Sequence, residues 1–405
     1  MLRAFRQPWR RPQHEELGGK VIMAGMTPRQ RVTIALNHQE PDLVPLDFGT
    51  GGNSSPVPEF YRKLLDYCGL AAEVRPLTHM LRLAVVDEQV LQSLEIDTRP
   101  VGMRPATRGR RPCDEPGCFY DDWGVKWRVV QAGAAAYNEL AESPLADADL
   151  ADLDHYPWWP DPLDADRYAG IREEAERLYH TTEYALVGTP GFNGVWERAW
   201  FLCGFERMLT GLLLEPQFVH AILRRVTDLC KVALTRYLDL VGPTIQIVKL
   251  GDDLGAQDGP LMSPATYRRI VKPYHKELCD LIKQRCAARI FLHTCGSVYR
   301  LLPDLVDAGV EILNPVQVSA RDMDTARLKA EFGDRLSFMG AVDTQHVLPF
   351  GTPDEVRREV ERRIADLGRG GGYILAPVHN VQADVPPENL VTMYRHARVA
   401  GKYPL

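Results

Sequence analysis

The stretch "RIFLHTCG" (289–296) decides the fold, because a short apolar run ends there in polar residues and then a glycine. Six other runs share this form: "VPLDFG" (44–49), "YALVGTPG" (184–191), "IQIVKLGDDLG" (245–255), "VEILNPVQ" (310–317), "LSFMGAVD" (336–343) and "GYILAPVHN" (372–380). Short runs that are almost continuously apolar are typical of strands buried on both faces, as in parallel sheets.

Helical patterns separate these runs. Helix starts are predicted at three places where a capping residue precedes a proline: Thr27, Ser263 and Thr352. Alternating strands and helices indicate a parallel β/α architecture. With about seven strands counted and an eighth expected in the N-terminal third, we predict a (β/α)8 barrel of the TIM type. A doubly wound open sheet is the alternative, disfavoured because no G-x-G-x-x-G follows any strand.

The domain organisation follows from the same patterns. Residues 1–25 carry five basic and two acidic side chains without an apolar core, so we predict a disordered tail. Residues 26–405 are predicted to form a single barrel domain. An insertion is expected at about 98–140, where "FYDDWGVKWRVV" (119–130) is typical of a hairpin.

Composition excludes several classes of protein. The net charge is −6 and the basic residues are scattered, so neither a nucleic-acid surface nor a membrane anchor is indicated. No apolar run approaches the roughly 20 residues that a membrane span requires. The eight cysteines do not form a disulfide framework in a chain of this length, which favours a cytoplasmic location. The sequence leaves the oligomeric state open, a homodimer included.

Polar residues are concentrated where the predicted strands end, which is where TIM barrels carry their chemistry. Three of them are candidate catalytic groups: Asp252, Asp253 and Asp343. For the two adjacent aspartates the alternative is a capped turn, and Asp343 is equally suited to capping the next loop. Five more are candidate substrate-binding residues: Asp47, Gln257, Asn314, Gln317 and Asn380.

His293 and Cys295 raise the question of a metal. Side chains alternate along a strand, so these two face the same way, and both types are good zinc donors. A zinc site needs a third donor, which His379 can supply from another strand end, and Asp252 or Asp253 can add an oxygen. A buried thiol beside a hydrogen-bonded histidine is the plainer alternative. A Cys–His nucleophile pair is disfavoured, because residues two apart on one strand are poorly placed to hydrogen-bond.

Several stretches of the chain resemble the uroporphyrinogen decarboxylase superfamily, which includes zinc- and cobalamin-dependent methyltransferases. They are "RVTIALNHQEPDLVPLDF", "GDDLGAQDGPLMSPATYRRIVKPYHKELCDLIK", "FLHTCGSV", "FMGAVDTQHVLPFGTPDEV" and "GYILAPVHNVQADVPPENLV". The resemblance covers the chain from about Met26 to its end, and it implies the same barrel.

The resemblance also bears on the branch of the superfamily. Decarboxylases carry an "RQAGR" motif near the N-terminus, whereas the corresponding "DFGTGGNSSPVPEF" (47–60) has no arginine before Arg62. Arginine matters there because its planar fork binds carboxylates bidentately. The methyltransferase branch holds zinc with His-x-Cys and a later cysteine. His293 and Cys295 match that pattern, and His379 stands in place of the cysteine, which implies a zinc site of two histidines and one cysteine.

The function that this branch implies is zinc-dependent methyl transfer. The methyl group moves between a corrinoid and a small methylated substrate, either a thiol or a methyl ether that undergoes O-demethylation. The chain lacks the Asp-x-His-x-x-Gly signature of a corrinoid-binding module, so the cobalamin is expected on a partner protein or in solution. Two alternatives stay open: a decarboxylase-like tetrapyrrole enzyme, and a barrel that binds a tetrapyrrole or metal without turnover.

Overall fold

Seven parallel strands form one curled sheet in the computed structural model, which describes residues 25–78, 80, 82–105, 111–132, 135–192 and 194–405. Neighbouring strands follow the chain order throughout. They are β1 (Thr98–Gly102), β2 (Ala185–Thr189), β3 (Ile247–Gly251), β4 (Arg289–His293), β5 (Ile312–Asn314), β6 (Ser337–Val342) and β7 (Tyr373–Pro377). The predicted tail lies outside the described residues, apart from Gly25.

The segment 44–48 closes the sheet into a barrel. Leu46 makes a parallel bridge to Leu375 of β7. On its other side, the amide of Asp97, just before β1, donates to the Leu46 carbonyl at 3.0 Å. Eight extended segments therefore surround the core, which confirms the predicted (β/α)8 barrel over an open sheet. The eighth strand is β1, so residues 98–102 belong to the barrel and not to the predicted insertion.

A three-stranded antiparallel sheet lies between β1 and β2 in the chain. Its strands are Cys118–Tyr120, Lys126–Ala132 and Ala135–Glu142. The first two form the hairpin that the pattern around Trp123 predicts, with Phe119 opposite Trp127. Two short antiparallel pairs complete the strands: Pro76–Thr78 with Leu83–Ala84, and Gly255–Ala256 with Gly259–Pro260.

Helices surround the barrel, and three of them begin where the sequence predicts. Thr27 and Thr352 form capping boxes, and the Ser263 hydroxyl accepts from the Thr266 amide. The α-helices are Pro28–Leu36, Pro58–Cys68, Glu88–Ser93, Asp152–His155, Ala165–Tyr168, Ile171–Thr181, Trp196–Cys203, Phe205–Leu214, Pro216–Val241, Pro264–Thr266, Lys272–Arg285, Leu302–Ala308, Thr325–Phe332, Val347–Phe350, Pro353–Leu367 and Pro387–Ala400, with a π-helix at Tyr267–Val271 and a 3-10 turn at Tyr299–Leu301.

The barrel interior is a separate apolar cluster with one end covered. Alternate residues of the strands point inward, and Val32 and Leu36 of the helix Pro28–Leu36 pack against them. That helix lies at the N-terminal ends of the strands, because the Gly372 amide before β7 donates to the Ala35 carbonyl at 2.7 Å. The C-terminal ends of the strands form the other end of the barrel.

None of the helices in the described part of the chain is both long enough and apolar enough to cross a membrane.

Asp97 ties the closing segment to two other parts of the chain, and we predict that its charge is needed for stability. The fully buried carboxylate accepts from the Leu46 amide at 2.7 Å, from Arg31 at 2.5 Å and from Arg398 at 2.8 Å. Asp97→Asn leaves two arginines short of a partner, so the free energy of unfolding in urea should fall by about 3 kcal/mol. Asp334→Asn on the exposed surface is the control, and equal stability of the two variants would contradict the assignment.

Candidate metal centre at the strand ends

His293 ends β4 with its ring orientation fixed by a neighbouring strand. In register it lies between Gly251 of β3 and Asn314 of β5. Its Nδ1 lies 2.7 Å from Asn314 Oδ1, and the Asn314 amide nitrogen donates to the Met339 carbonyl at 3.0 Å. The Asn314 oxygen can only accept, so His293 carries its proton on Nδ1. Its Nε2 is therefore available as a ligand atom.

Two further side chains converge with His293 at this nitrogen. Ligand atoms of His293, Cys295 and His379 all lie within 4.8 Å of one another. Cys295 Sγ is 3.3 Å from His293 Nε2, and the two imidazole centroids are 5.4 Å apart. In a tetrahedral zinc site neighbouring ligand atoms lie roughly 3.4–3.6 Å apart. The donor types therefore suit a zinc ion, and the distance between Cys295 Sγ and His293 Nε2 is close to that of bound ligands.

The loop after Cys295 is held by its backbone amides. The Cys295 amide donates to Asp253 Oδ1 at 2.8 Å, and the Gly296 amide donates to Gln317 Oε1 at 2.7 Å. Gly296 has φ +83°, and a Cβ there would lie 2.5 Å from the Gly255 carbonyl carbon, so only glycine fits. Gln317 in turn donates to Gln257 at 3.2 Å. These two glutamines therefore hold the loop that carries the thiol.

Burial controls the protonation of the three side chains. It lowers the pKa of His379 to about 4, assisted by neighbouring His293, and it also lowers the pKa of His293. Both imidazoles are therefore neutral at physiological pH, which is the form that binds metal. Burial and the nearby Asp253 carboxylate raise the pKa of Cys295 well above its usual range. A metal that binds here must therefore displace the thiol proton.

Asp252 is occupied by structural hydrogen bonds. Its carboxylate accepts the amides of Val195, Trp196 and Glu197 at 2.6–2.9 Å and the Nε2 of His275 at 2.7 Å. Both oxygens accept hydrogen bonds and the side chain is 2 % exposed, so this carboxylate caps the helix that begins at Trp196. The prediction that Asp252 supplies a ligand or a proton does not fit these contacts.

Asp253 is the aspartate that faces the centre. Its Oδ1 lies 4.0 Å from His293 Nε2, and its side chain is 35 % exposed. Asp343 behaves differently, because its carboxylate accepts the amides of Gln345 and His346 at 2.6 and 2.9 Å. It caps the loop that follows β6, which was one of its two predicted roles, and the structure gives it no contact with the three converging side chains.

Asp47 and Asn380 belong to a network that holds the loop 49–55. The buried Asp47 carboxylate accepts the hydroxyls of Thr50, Ser54 and Thr98 at 2.6–2.7 Å. The Asn380 amide donates to the carbonyls of Gly52 and Ser55. Both side chains thus support this loop, and their predicted contacts with substrate stay predictions.

A cleft beside Asp253 contains residues that the sequence patterns did not single out. It is small and is lined by Trp123, Gly191, Phe192, Gly194, Glu197, Arg198 and Gly251. Glu197 and Arg198 follow the loop after β2, so the rule that barrels carry chemistry at strand ends would have indicated them. Trp123 comes from the antiparallel sheet, and nothing in the sequence predicts that its turn reaches this edge.

Comparison with known proteins places the chain in a family. The family model described as uroporphyrinogen decarboxylase (URO-D) matches residues 139–399, more than half of the chain. The protein belongs to the uroporphyrinogen decarboxylase family. The resemblance seen in the sequence is thereby confirmed.

Relatives in this family carry two different activities in their names. A uroporphyrinogen decarboxylase of Psychromonas ingrahamii is 26% identical over 181 residues, 43% of this chain and 46% of the relative. A methylated-thiol--coenzyme M methyltransferase of Methanosarcina mazei is 26% identical over 236 residues, 57% of this chain and 59% of the relative. The chain thus spans about half the length of these relatives.

A solved structure supports the fold. A methyltransferase from Methanosarcina mazei superposes with a TM-score of 0.62 at 18% identity, covering 92% of this chain and 98% of that one. At this identity the likeness shows a shared barrel and leaves the activity to be argued from the site.

Glu197 should make stability depend on pH. Burial, together with Asp253 and Asp252, raises its pKa from an ordinary 4.5 to about 8. The folded state therefore holds this proton more tightly than the unfolded state, and stability is lost as pH rises from about 4.5 to 8. Glu197→Gln cannot ionise, so in chelator-treated protein its advantage over wild type in urea unfolding should grow between pH 5 and 9. The exposed variant Glu206→Gln should show no such trend, and a flat difference for Glu197→Gln would contradict the prediction.

Proposed function

We propose that this protein is a zinc-dependent methyltransferase that moves a methyl group between a corrinoid and a small methylated substrate, a thiol or a methyl ether. The observation that carries the proposal is the convergence of His293, Cys295 and His379 at the strand ends. Three protein donors with a fourth position left for substrate is the pattern of catalytic zinc sites, whereas structural sites have four protein ligands.

The chain's own residues have distinct parts in this proposal. Zinc, when bound, would supply a Lewis acid that lowers the pKa of a thiol or polarises an ether oxygen. Asn314 keeps His293 in the tautomer that can ligate, and Gln317 holds the loop of Cys295. Asp253, next to the centre and partly exposed, is placed to accept the proton that a thiol substrate must lose.

Glu197 is suited to the opposite task, which is to donate a proton to the substrate. Its raised pKa keeps the carboxyl group largely protonated at neutral pH. When a methyl ether loses its methyl group, the carbon–oxygen bond breaks and the leaving oxygen needs a proton, which a neutral carboxylic acid can donate. Asp253 thus serves a thiol substrate as proton acceptor, and Glu197 serves a methyl ether as proton donor.

The corrinoid is proposed to come from outside this chain, on a partner protein or in solution, as the methyl acceptor or donor. We also infer a reducing, cytoplasmic setting, because all eight cysteines are free thiols and four of them are buried.

Decarboxylation is the second candidate, and the names of several curated relatives favour it. The loop 49–55 argues against it, because Asp47 and Asn380 hold in place a segment without arginine. A porphyrinogen carries several carboxylates that need cationic partners. A barrel that binds a metal or tetrapyrrole without turnover is the third candidate.

Metal analysis tests the centre directly. Purified protein should contain one zinc per chain, and Cys295→Ser should lose it without unfolding, because a hydroxyl is a much poorer zinc donor than a thiolate. His379→Ala should weaken zinc binding in a competition with a chromophoric chelator. Cys286→Ser, which alters a half-buried thiol outside the centre, is the matched control. Full zinc occupancy in Cys295→Ser would count against the whole centre.

Methyl transfer is tested by following the visible spectrum of cobalamin. Zinc-loaded protein should methylate cob(I)alamin from at least one methyl ether or methylated thiol, or demethylate methylcobalamin with a thiol. The reaction should fall to background in Cys295→Ser and persist in Cys286→Ser, because only the first removes a proposed metal ligand.

The same preparation distinguishes the alternatives. Incubation with uroporphyrinogen should produce no coproporphyrinogen above background, and robust conversion would establish the decarboxylase. If zinc-loaded protein acts on neither the methyl donors nor uroporphyrinogen, both enzymatic functions are rejected. The third candidate, binding of a metal or tetrapyrrole without turnover, then takes their place.

A further inference from the structure

Lys249 is a buried cation inside the barrel. It alternates with Ile247 along β3 and lies opposite Phe291 of β4, and both of these residues belong to the interior apolar cluster. Its side chain is therefore directed inward. The ammonium lies 4.8 Å from the centroid of the Phe291 ring, and the residue is 3 % exposed. Burying a charge is costly, so the contacts of this ammonium indicate its role.

The charge of Lys249 opposes cation binding at the proposed metal centre. Burial lowers the pKa of this lysine to about 8, and the Asp47 carboxylate acts in the other direction. The side chain is therefore mainly protonated at neutral pH. Burial also lowers the pKa of His293, and the Lys249 charge adds to that effect. A positive charge that acts on His293 also repels a divalent cation, so electrostatics alone gives no reason for a lysine at this position.

The polar contact of the Lys249 ammonium is with the loop 49–55. Its Nζ donates to the Thr50 carbonyl oxygen at 2.7 Å, and within the described residues it makes no other hydrogen bond and no salt bridge. The Asp47 carboxylate holds the same loop through the hydroxyls of Thr50 and Ser54. Hydrogen bonds with a charged partner are stronger than those between neutral groups. Lys249 therefore anchors the start of this loop to β3.

The same loop is also bonded to the segment that carries His379. The Asn380 side-chain amide donates to the carbonyls of Gly52 and Ser55 at 2.7 and 3.2 Å. His293 has its ring fixed by a hydrogen bond to a neighbouring strand, whereas the His379 ring makes no hydrogen bond within the described part of the chain. The position of the His379 imidazole therefore depends on how firmly its backbone is held, and the loop supplies contacts that hold it.

We propose that Lys249 is a positioning residue for His379 and acts through the loop 49–55. The lysine fixes the start of the loop, and the loop fixes the chain immediately after His379, so that the imidazole stays next to the other two donors of the metal centre. The effect on metal binding rests on the function proposed above, because it presumes that centre. The coupling between the lysine and the end of the last strand does not depend on a metal.

Zinc affinity tests the proposal by its sign. Lys249→Met removes the charge and the hydrogen bond with a side chain of similar shape. If the lysine positions His379, this variant should bind zinc about tenfold more weakly in a competition with a chromophoric chelator, as is usual when support of a metal ligand is lost. Loss of a repelling charge alone would instead tighten binding. The visible bands of Co²⁺ bound in place of zinc report ligand geometry, and they should change in the same variant.

Further variants test the route of the effect. Asn380→Leu breaks the bonds between the loop and the residue after His379, so it should weaken zinc binding to a similar extent. In the double variant the two losses should not add, because both substitutions break one connection. In a His379→Ala background, Lys249→Met should have no further effect. Lys329→Met is the matched control, because Lys329 also donates to a backbone carbonyl, that of Gly371, at the opposite end of the barrel.

Hydrogen exchange tests the coupling in full-length, chelator-treated protein. Lys249→Met should raise exchange severalfold in peptides that cover residues 49–57 and 378–381, because both segments lose a shared support. Lys329→Met should leave both segments as in wild type. Urea unfolding curves establish that each variant is folded, and Lys249→Leu replaces the methionine variant if that one does not fold.

Three results would overturn the proposal. They are unchanged exchange in either segment of a folded Lys249→Met variant, zinc affinity in that variant equal to or above that of wild type, and an equal loss of affinity with and without His379. Raised exchange in both segments of a protein that binds no zinc would sustain the coupling and reject the metal centre.

Discussion

The carboxylate of Asp252 is the interaction on which the site depends. It accepts three consecutive backbone amides, those of residues 195–197, and so fixes the start of the helix Trp196–Cys203 against the end of β3. A negative charge at a helix N-terminus is favourable because it faces the positive end of the helix dipole. His275 adds a fourth donor, and the Tyr267 hydroxyl lies 2.9 Å from the other nitrogen of that ring. These four donors offset the cost of removing the buried carboxylate from water.

Two consequences follow from the position of Asp252 in the chain. The next residue, Asp253, is directed towards Cys295, and the helix held by Asp252 carries Glu197 and Arg198 in its first turn. Gly194 allows the close approach, because a Cβ at this residue would lie 2.5 Å from the Gly251 carbonyl oxygen. The proposed metal centre and the cleft lined by Glu197 and Arg198 are thus positioned by the same hydrogen-bonded carboxylate, that of Asp252.

The charge of Asp253 affects both the proposed metal centre and Glu197. Asp253 contributes to the raised pKa of both Cys295 and Glu197. The same aspartate favours the protonated form of His379, but burial outweighs it. Before a metal binds, His293, Cys295 and His379 are therefore neutral donors beside the Asp253 carboxylate. This arrangement attracts a divalent cation. A bound cation would lower the pKa of both Cys295 and Glu197.

The sequence by itself determined the barrel and the two strongest metal-binding candidates. Apolar runs that end in polar residues are a local property, so β2 to β7 could be read directly, and alternation placed His293 and Cys295 on one face. The sequence could not show that the carboxylates of Asp252 and Asp343 accept capping hydrogen bonds. An aspartate at a strand end gives the same sequence pattern whether its oxygens accept backbone amides or bind a ligand. Only the tertiary structure decided that His379 approaches β4, that Trp123 reaches the site from a separate sheet, and that Glu197 is a raised-pKa acid. Each of these depends on contacts between residues far apart in the chain, and burial and distance across the barrel mouth have no local signal in the sequence.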